Sequence, residues 1–200
     1  WSWLIFVAIM LLMTMFYASV FVPLFNKLTP LPDGELRTEI EQYCTKVGFK
    51  LDNLFVMDGS KRSTKANAFF SGLGAKKRIV LYDTLVDNYT KEEITAVLAH
   101  EVGHYKKKHT LTSLILSALQ VGIMLYLLSL VINSSQISLA LGIQESSFHI
   151  GLLVFSILYT PLSMLTSILM NVVSRKNEYE ADNYAKSTYN HKSLILALKK

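Results

Sequence analysis

The strongest constraint on this chain is where its charges are missing. Trp1–Asn26, Thr110–Gln144 and Ser146–Ser174 run for 26, 35 and 29 residues without an Asp, Glu, Lys or Arg, and His149 is the one imidazole among them. All 35 formally charged side chains therefore crowd into the other 110 residues. A helix crosses the hydrocarbon core of a bilayer with about 20 apolar residues. Trp3–Phe25, Leu111–Ile132 and Phe148–Met170 each supply that length. A soluble domain of 200 residues cannot bury three such helices, because buried helices seldom exceed about 20 residues. Three membrane spans are expected. The first has neither the basic flank nor the initiating Met of a signal peptide, so it reads as a span of a longer chain, and the sequence as a piece of a larger membrane protein.

The distribution of basic residues then orients the spans. Of the 20 Lys and Arg, 14 lie in residues 27–110, six in residues 171–200 and none in residues 133–149. Positively charged loops stay on the cytoplasmic side, which puts 27–110 and the tail inside and 133–149 outside. The net charge of +5 is thus a topology signal rather than a nucleic-acid footprint, and nothing resembles a DNA- or RNA-binding motif. Lys106–Lys108 abut a span, where anionic lipid headgroups are the expected partner. The single cysteine, Cys44, rules out an intramolecular disulfide framework and a multi-cysteine zinc site.

The charged part has short elements. Asp33 is placed to cap a helix running to about Val47, with Gly48 as its stop and Ile40, Tyr43, Cys44 and Val47 as its apolar face. Leu54–Met57, Asn67–Phe70 and Arg78–Tyr82 read as strands, separated by turns at Asp58-Gly59 and Gly72-Leu73-Gly74. Gly72-x-Gly74 is too short for a dinucleotide fingerprint. Thr90-Lys91-Glu92-Glu93 is a capping box opening a further helix with no breaker before Gly103.

That helix carries His100-Glu101-Val102-Gly103-His104, an H-E-x-x-H motif. Residues at i and i+4 share a helical face, so both imidazoles can reach one tetrahedral zinc at about 2.0–2.1 Å. Glu101 is rotated by one residue, beside the metal, where it can take a proton from water. A catalytic zinc needs a third protein ligand and an open position. His149 falls on the wrong side of the membrane, His109 follows His104 without a turn that would fold it back, and His191 is a possible but isolated ligand. Glu178 and Asp182 share a helical face, so that Glu178 can ligate while Asp182 orients a ligand histidine; Glu180 points elsewhere. Two crossings separate His104 from Glu178, which returns both to one side of the membrane.

These blocks together resemble the CAAX prenyl protease 1 family of integral-membrane zinc endopeptidases. Ile79–Leu85 resembles the segment before that family's catalytic helix. His100–His104 with Lys107 and His109-Thr110 resembles the helix itself. Ser174-Arg175-x-x-Glu178-x-x-Ala181-Asp182 resembles its third-ligand block, and Asn67–Phe70 the strand bordering its cleft. The resemblance implies one zinc held by His100, His104 and Glu178, Glu101 as the catalytic carboxylate, Asp182 behind the ligands, and Asn67, Ala68 and Phe69 lining the substrate. It implies cleavage near the C-terminus of CAAX-type isoprenylated peptides, and a seven-helix intramembrane chamber. The family's earlier spans, and a histidine and an arginine that follow the site, fall outside residues 1–200. A heat-shock-type bacterial membrane metalloprotease shares the same layout and is the alternative; a non-catalytic zinc-stabilised scaffold is a second, which an intact Glu101 disfavours. The expected partners are a peptide or protein substrate, isoprenylated or not, and the lipid bilayer, with no nucleic acid. The expected fold is mainly α with a small α+β part: a transmembrane helix over 1–28, a cytoplasmic zincin-like metalloprotease domain over 29–109, a transmembrane hairpin over 110–170 and a cytoplasmic helix over 171–200. The membrane is either a bacterial plasma membrane or the endoplasmic reticulum.

Overall fold

The computed structural model describes residues 1–51, 53–61, 67–71, 78–132, 134–140, 142 and 148–200. The elements in chain order are α1 (Ser2–Phe16), a π-helical turn (Tyr17–Phe21), α2 (Val22–Phe25), β1 (Leu28–Pro30), α3 (Glu35–Lys46), β2 (Asn53–Met57), a 3₁₀ turn (Gly59–Lys61), β3 (Ala68–Ser71), β4 (Arg78–Tyr82), α4 (Asp83–Asn88), α5 (Lys91–Lys106), α6 (His109–Val131), α7 (Ser135–Ala140), α8 (Phe148–Thr188) and α9 (His191–Lys199). The fold is mostly helical with one small mixed sheet. The Gly72-x-Gly74 turn and residues 133, 141 and 143–147 of the loop between α6 and α8 lie outside the described residues.

The chain groups into two compact units. One comprises Ala8–Lys108 and Glu178–Lys200. Its sheet has the order β1-β2-β4-β3, with β1 antiparallel to β2, β2 parallel to β4, and β3 antiparallel to β4. Strand alternation divides the core. Ile79 and Leu81 face a cluster built with Ile40, Tyr43 and Cys44 of α3, Ile94, Leu98 and Val102 of α5, and Leu194 of α9. Val80 faces the other way, onto Met57 and Val22. β1 is an edge strand that the sequence reading missed. Pro30 sits there without cost because a strand edge needs no inward N–H.

Helix α3 departs from expectation at its start. Gly34 occupies the cap position, with no side-chain cap bond, and Asp33, one residue too early, pairs with Arg37 at 3.3 Å instead. Its end is as expected. Gly48 has φ +61°, Gly48 N donates to Thr45 O and Phe49 N to Cys44 O, the two bonds of a Schellman stop. Helix α5 opens on the expected capping box, and Gly103 does not end it; the helix runs on to Lys106.

The other unit comprises Trp1–Val7 and His109–Asn177. Among the described residues, α6 and α8 are the two helices long and apolar enough to cross a membrane. The stretch expected as the first span is helical in three pieces, and α1 alone is 15 residues long. The π turn precedes Pro23, whose ring nitrogen cannot donate to the carbonyl one turn back. Trp3 Nε1 donates to Ala118 O at 2.8 Å, and its indole fills the space left by Gly122. Helix α8 is 41 residues long with Pro161 inside it. It carries both the third apolar stretch and the Glu178–Asp182 segment, which the sequence reading assigned to separate regions.

Candidate metal centre

Two helices build the site, and each is pinned away from it. Thr90 Oγ1 accepts from Glu93 N at 3.3 Å and Glu93 Oε2 accepts from Thr90 N at 2.9 Å. This closes the first turn of α5 and satisfies two otherwise unpaired amides. Lys200 Nζ adds a second bond to the same carboxylate oxygen at 2.7 Å. Ile94, Leu98 and Val102 bury one side of α5, which fixes its rotation and turns His100 and His104 towards α8.

The crossing of the two helices is set by small residues. A Cβ on Gly103 would lie 3.0 Å from Ala181 Cα and 3.1 Å from Ala181 O. Ala181 and Ala185 are buried at 0 % and 2 % exposure. The backbones therefore approach closely beside the motif, and Glu178 and Asp182, one turn apart on α8, come within reach of both histidines. The C-terminal end of α8 is held by α3. Tyr43 Oη and Thr188 Oγ1 lie 2.9 Å apart, Lys46 Nζ donates to Thr188 O at 2.9 Å, and Tyr189 Oη donates to the Glu39 carboxylate.

His100 Nε2 lies 3.0 Å from His104 Nε2 and 3.3 Å from Glu178 Oε2; His104 Nε2 lies 3.7 Å from Glu178 Oε1. His100 Nδ1 faces Asp182 Oδ1 at 2.7 Å. The ionised carboxylate can only accept, so this contact keeps the proton on Nδ1 and leaves the Nε2 lone pair aimed at His104 and Glu178. The fit to a metal can be tested on these separations. A tetrahedral ion bound at about 2.0–2.1 Å has ligand atoms about 3.3 Å apart, and the three measured distances scatter about that value. Two imidazoles and one carboxylate are also a donor set that zinc favours. Burial pushes the Glu101 carboxyl up to about 7; His100 opposes the shift and Glu178 adds to it.

The expected residues fall as follows. His100, His104 and Glu178 form one group with ligand atoms within 4.8 Å of one another, and Asp182 stands behind His100. His109 is buried at the start of α6; neither it nor His149 or His191 joins the group. Asn67 precedes β3, its carbonyl accepting from Tyr82 N and its side chain from Ala68 N. Ala68 is buried in the core, and Phe69 packs edge-on against Tyr82 with ring centroids 6.3 Å apart, within the range of about 4.5–7 Å typical of such pairs. Their side chains are spent on packing, so only backbone and Asn67 are offered along the edge strand. The reading missed Gly103 as a contact point and the Glu39, Tyr43 and Lys46 clamp. The small residues Ala181 and Ala185 on one face of α8 were the available signal for the first; the second had none.

Residues 30–199 match the sequence pattern of Peptidase family M48. The chain is 46% identical over 189 residues to the CAAX prenyl protease 1 homolog of Dictyostelium discoideum, covering 92% of this chain and 44% of that protein. It is 39% identical over 215 residues to CAAX prenyl protease 1 of Saccharomyces cerevisiae, covering 99% and 48%. It is 33% identical over 237 residues to the Homo sapiens homolog, covering 99% and 50%. The crystal structure of S. mikatae Ste24p superposes with a TM-score of 0.87 at 39% identity, covering 98% of this chain and 49% of that one. The chain thus spans about half the length of the relatives it matches.

Proposed function

The chain belongs to peptidase family M48, and from that premise we propose that it carries the metal centre of a membrane zinc endopeptidase that cleaves CAAX-type isoprenylated proteins near their C-terminus. The observation that carries this reading is the spacing of His100 Nε2, His104 Nε2 and Glu178, with Asp182 behind His100. The relatives' names support the substrate class. They also favour it over the heat-shock-type alternative.

His100, His104 and Glu178 would hold the zinc, which when bound lowers the pKa of a water and polarises a carbonyl. Asp182 holds His100 in the tautomer that offers Nε2. Glu101 takes a proton from the attacking water and passes it to the leaving amine. Its raised pKa suits both halves of that exchange, because a group poised near neutrality both accepts and releases protons readily. The substrate lies extended along Asn67, Ala68 and Phe69. In support, β3 is an outer strand of the sheet, at the edge opposite β1, and packs beside α5, so an added strand would pair by main-chain hydrogen bonds. On this reading the two long apolar helices span a membrane and the metal centre lies on its cytoplasmic side; the concentration of Lys and Arg in residues 27–110 and 171–200 supports that side.

The test uses the full-length protein in detergent, with farnesylated and unfarnesylated peptides. Chelation should abolish cleavage and zinc should restore it. Glu101→Gln should keep its zinc and lose about 10²–10⁴ in rate. Zinc retained at full stoichiometry in a His104→Ala, Glu178→Ala double variant would overturn the ligand assignment, and equal cleavage of both peptides would overturn the substrate class.

A further inference from the structure

Lys106 is the last residue of α5, and Lys107 and Lys108 are the whole link to α6, which begins at His109. All three lysines are exposed. Lys108 has φ 59°, a left-handed backbone conformation outside the helical range. The fold recruits a fourth lysine from far away in sequence. Lys106 Nζ donates to Gly48 O at 3.3 Å, and Phe49 meets Tyr105 edge-on at 5.4 Å. These contacts hold the turn after α3 against the end of α5, and Lys50, exposed, follows that turn directly. Glu41, which lines the same groove as Lys50, is held by Arg37 at 2.8 Å.

We propose that Lys50, Lys106, Lys107 and Lys108 form a binding surface for the net negative headgroups of anionic lipids at the membrane face. The argument rests on α6 spanning a membrane, part of the functional reading above, but not on catalysis. The 23 residues of α6 rise about 35 Å as a helix, enough to cross a core of about 30 Å. That length leaves its first turn, and the lysines joined to it, in the headgroup layer. Attraction to anionic headgroups acts within about a Debye length, so residues covalently joined to the span are within range. A soluble polyanion has no such anchor to hold it near.

The experiment measures headgroup preference of the full-length protein in vesicles of phosphatidylcholine containing a minor fraction of phosphatidylserine. Spin-labelled forms of the two lipids report their association with the protein. Alkaline carbonate extraction of the same vesicles is run first; release of the protein would defeat the spanning reading itself. With the protein retained, the wild type should prefer phosphatidylserine roughly fivefold, and the preference should collapse in about 1 M salt. A K50Q/K107Q/K108N variant should show a preference near one; Asn tolerates the positive φ at 108. K50R/K107R should keep the wild-type preference. An unchanged preference in the neutral variant, its loss in the arginine variant, or its displacement by millimolar inorganic phosphate would each overturn the proposal.

Discussion

Helices α5 and α6 are separated by two residues and satisfy their apolar side chains in different ways. In α5, Ile94, Ala96, Leu98, Ala99 and Val102 are all at 1 % exposure or less. Helix α6 is longer and more apolar, yet His109 is its one buried residue among those described, and Leu111, Ile115, Leu119, Ile123 and Leu130 are each more than half exposed. A water-soluble protein rarely leaves so much contiguous apolar surface open. The contrast indicates two solvents: α5 is folded by a protein core, and α6 is written for lipid.

Leucine substitutions separate the two cases most strongly. Leu98→Ala should cost about 2–5 kcal/mol, because it leaves a cavity under α5; the thermal transition of the metal-centre unit would report it. Leu119→Arg in α6 should cost about 3 kcal/mol of membrane insertion, read as the fraction of chains whose α6 is integrated in a glycosylation-mapping assay. On the surface of a soluble helix the same change would stay within about 0.5 kcal/mol. Normal integration of Leu119→Arg would mean that α6 does not face lipid.

Glycines sharpen the comparison at a smaller scale. Gly103→Ala would drive a Cβ against the backbone of Ala181, which has no rotamer to escape into. Overpacking of this kind costs about 1–3 kcal/mol, and by separating α5 from α8 it should weaken zinc binding at least roughly tenfold, as about 1.4 kcal/mol of misplacement would. Gly122→Ala meets the Trp3 side chain instead, at 3.0 Å, and should cost less because the indole can shift. Competition with a zinc chelator and thermal unfolding measure the two effects separately. Tyr189→Phe comes next: losing its hydrogen bond to Glu39 should cost about 1 kcal/mol and loosen the end of α8 that positions Glu178, with Tm and chelator competition as readouts.

How far the sequence could be read follows the same division. The H-E-x-x-H spacing, the capping box at Thr90 and the Glu178–Asp182 repeat are local patterns, and local patterns fix helical faces without any tertiary knowledge. The charge-free windows of α6 and α8 are legible for the same reason. What the sequence did not disclose is contact between distant residues. Nothing near Tyr43 announces Thr188, and nothing near Glu93 announces Lys200. The start of α3 was misplaced by one residue because Asp33 and Gly34 are both acceptable caps; Gly34 takes the position and Asp33 pairs with Arg37. β1 was missed because three residues that include a proline carry almost no strand signal.

The smallest effect is one of pH, and it tests whether the base of α5 is held by charge as well as by packing. Glu93 is buried at 5 % exposure. Its pKa is lowered, first by the bond from Lys200 Nζ and then by the bond from Thr90 N, against an opposing contribution from burial. A carboxyl whose folded pKa lies below its unfolded value stabilises the fold above the unfolded pKa, about 4.3 for Glu. That contribution is lost as the pH falls through the folded value. Glu35, Asp58 and Asp83 are lowered in the same direction, so the wild-type acid profile sums several groups. The difference between wild type and Lys200→Met isolates one of them. In the variant the largest cause of the shift is gone, so the curves of Tm against pH should lie furthest apart at neutral pH. They should converge as the pH drops below the ordinary carboxylate range. Parallel curves over that range would mean that Lys200 holds α9 on α5 through contacts other than the charge on Glu93, such as its Nζ over the Tyr89 ring, 5.0 Å from the centroid.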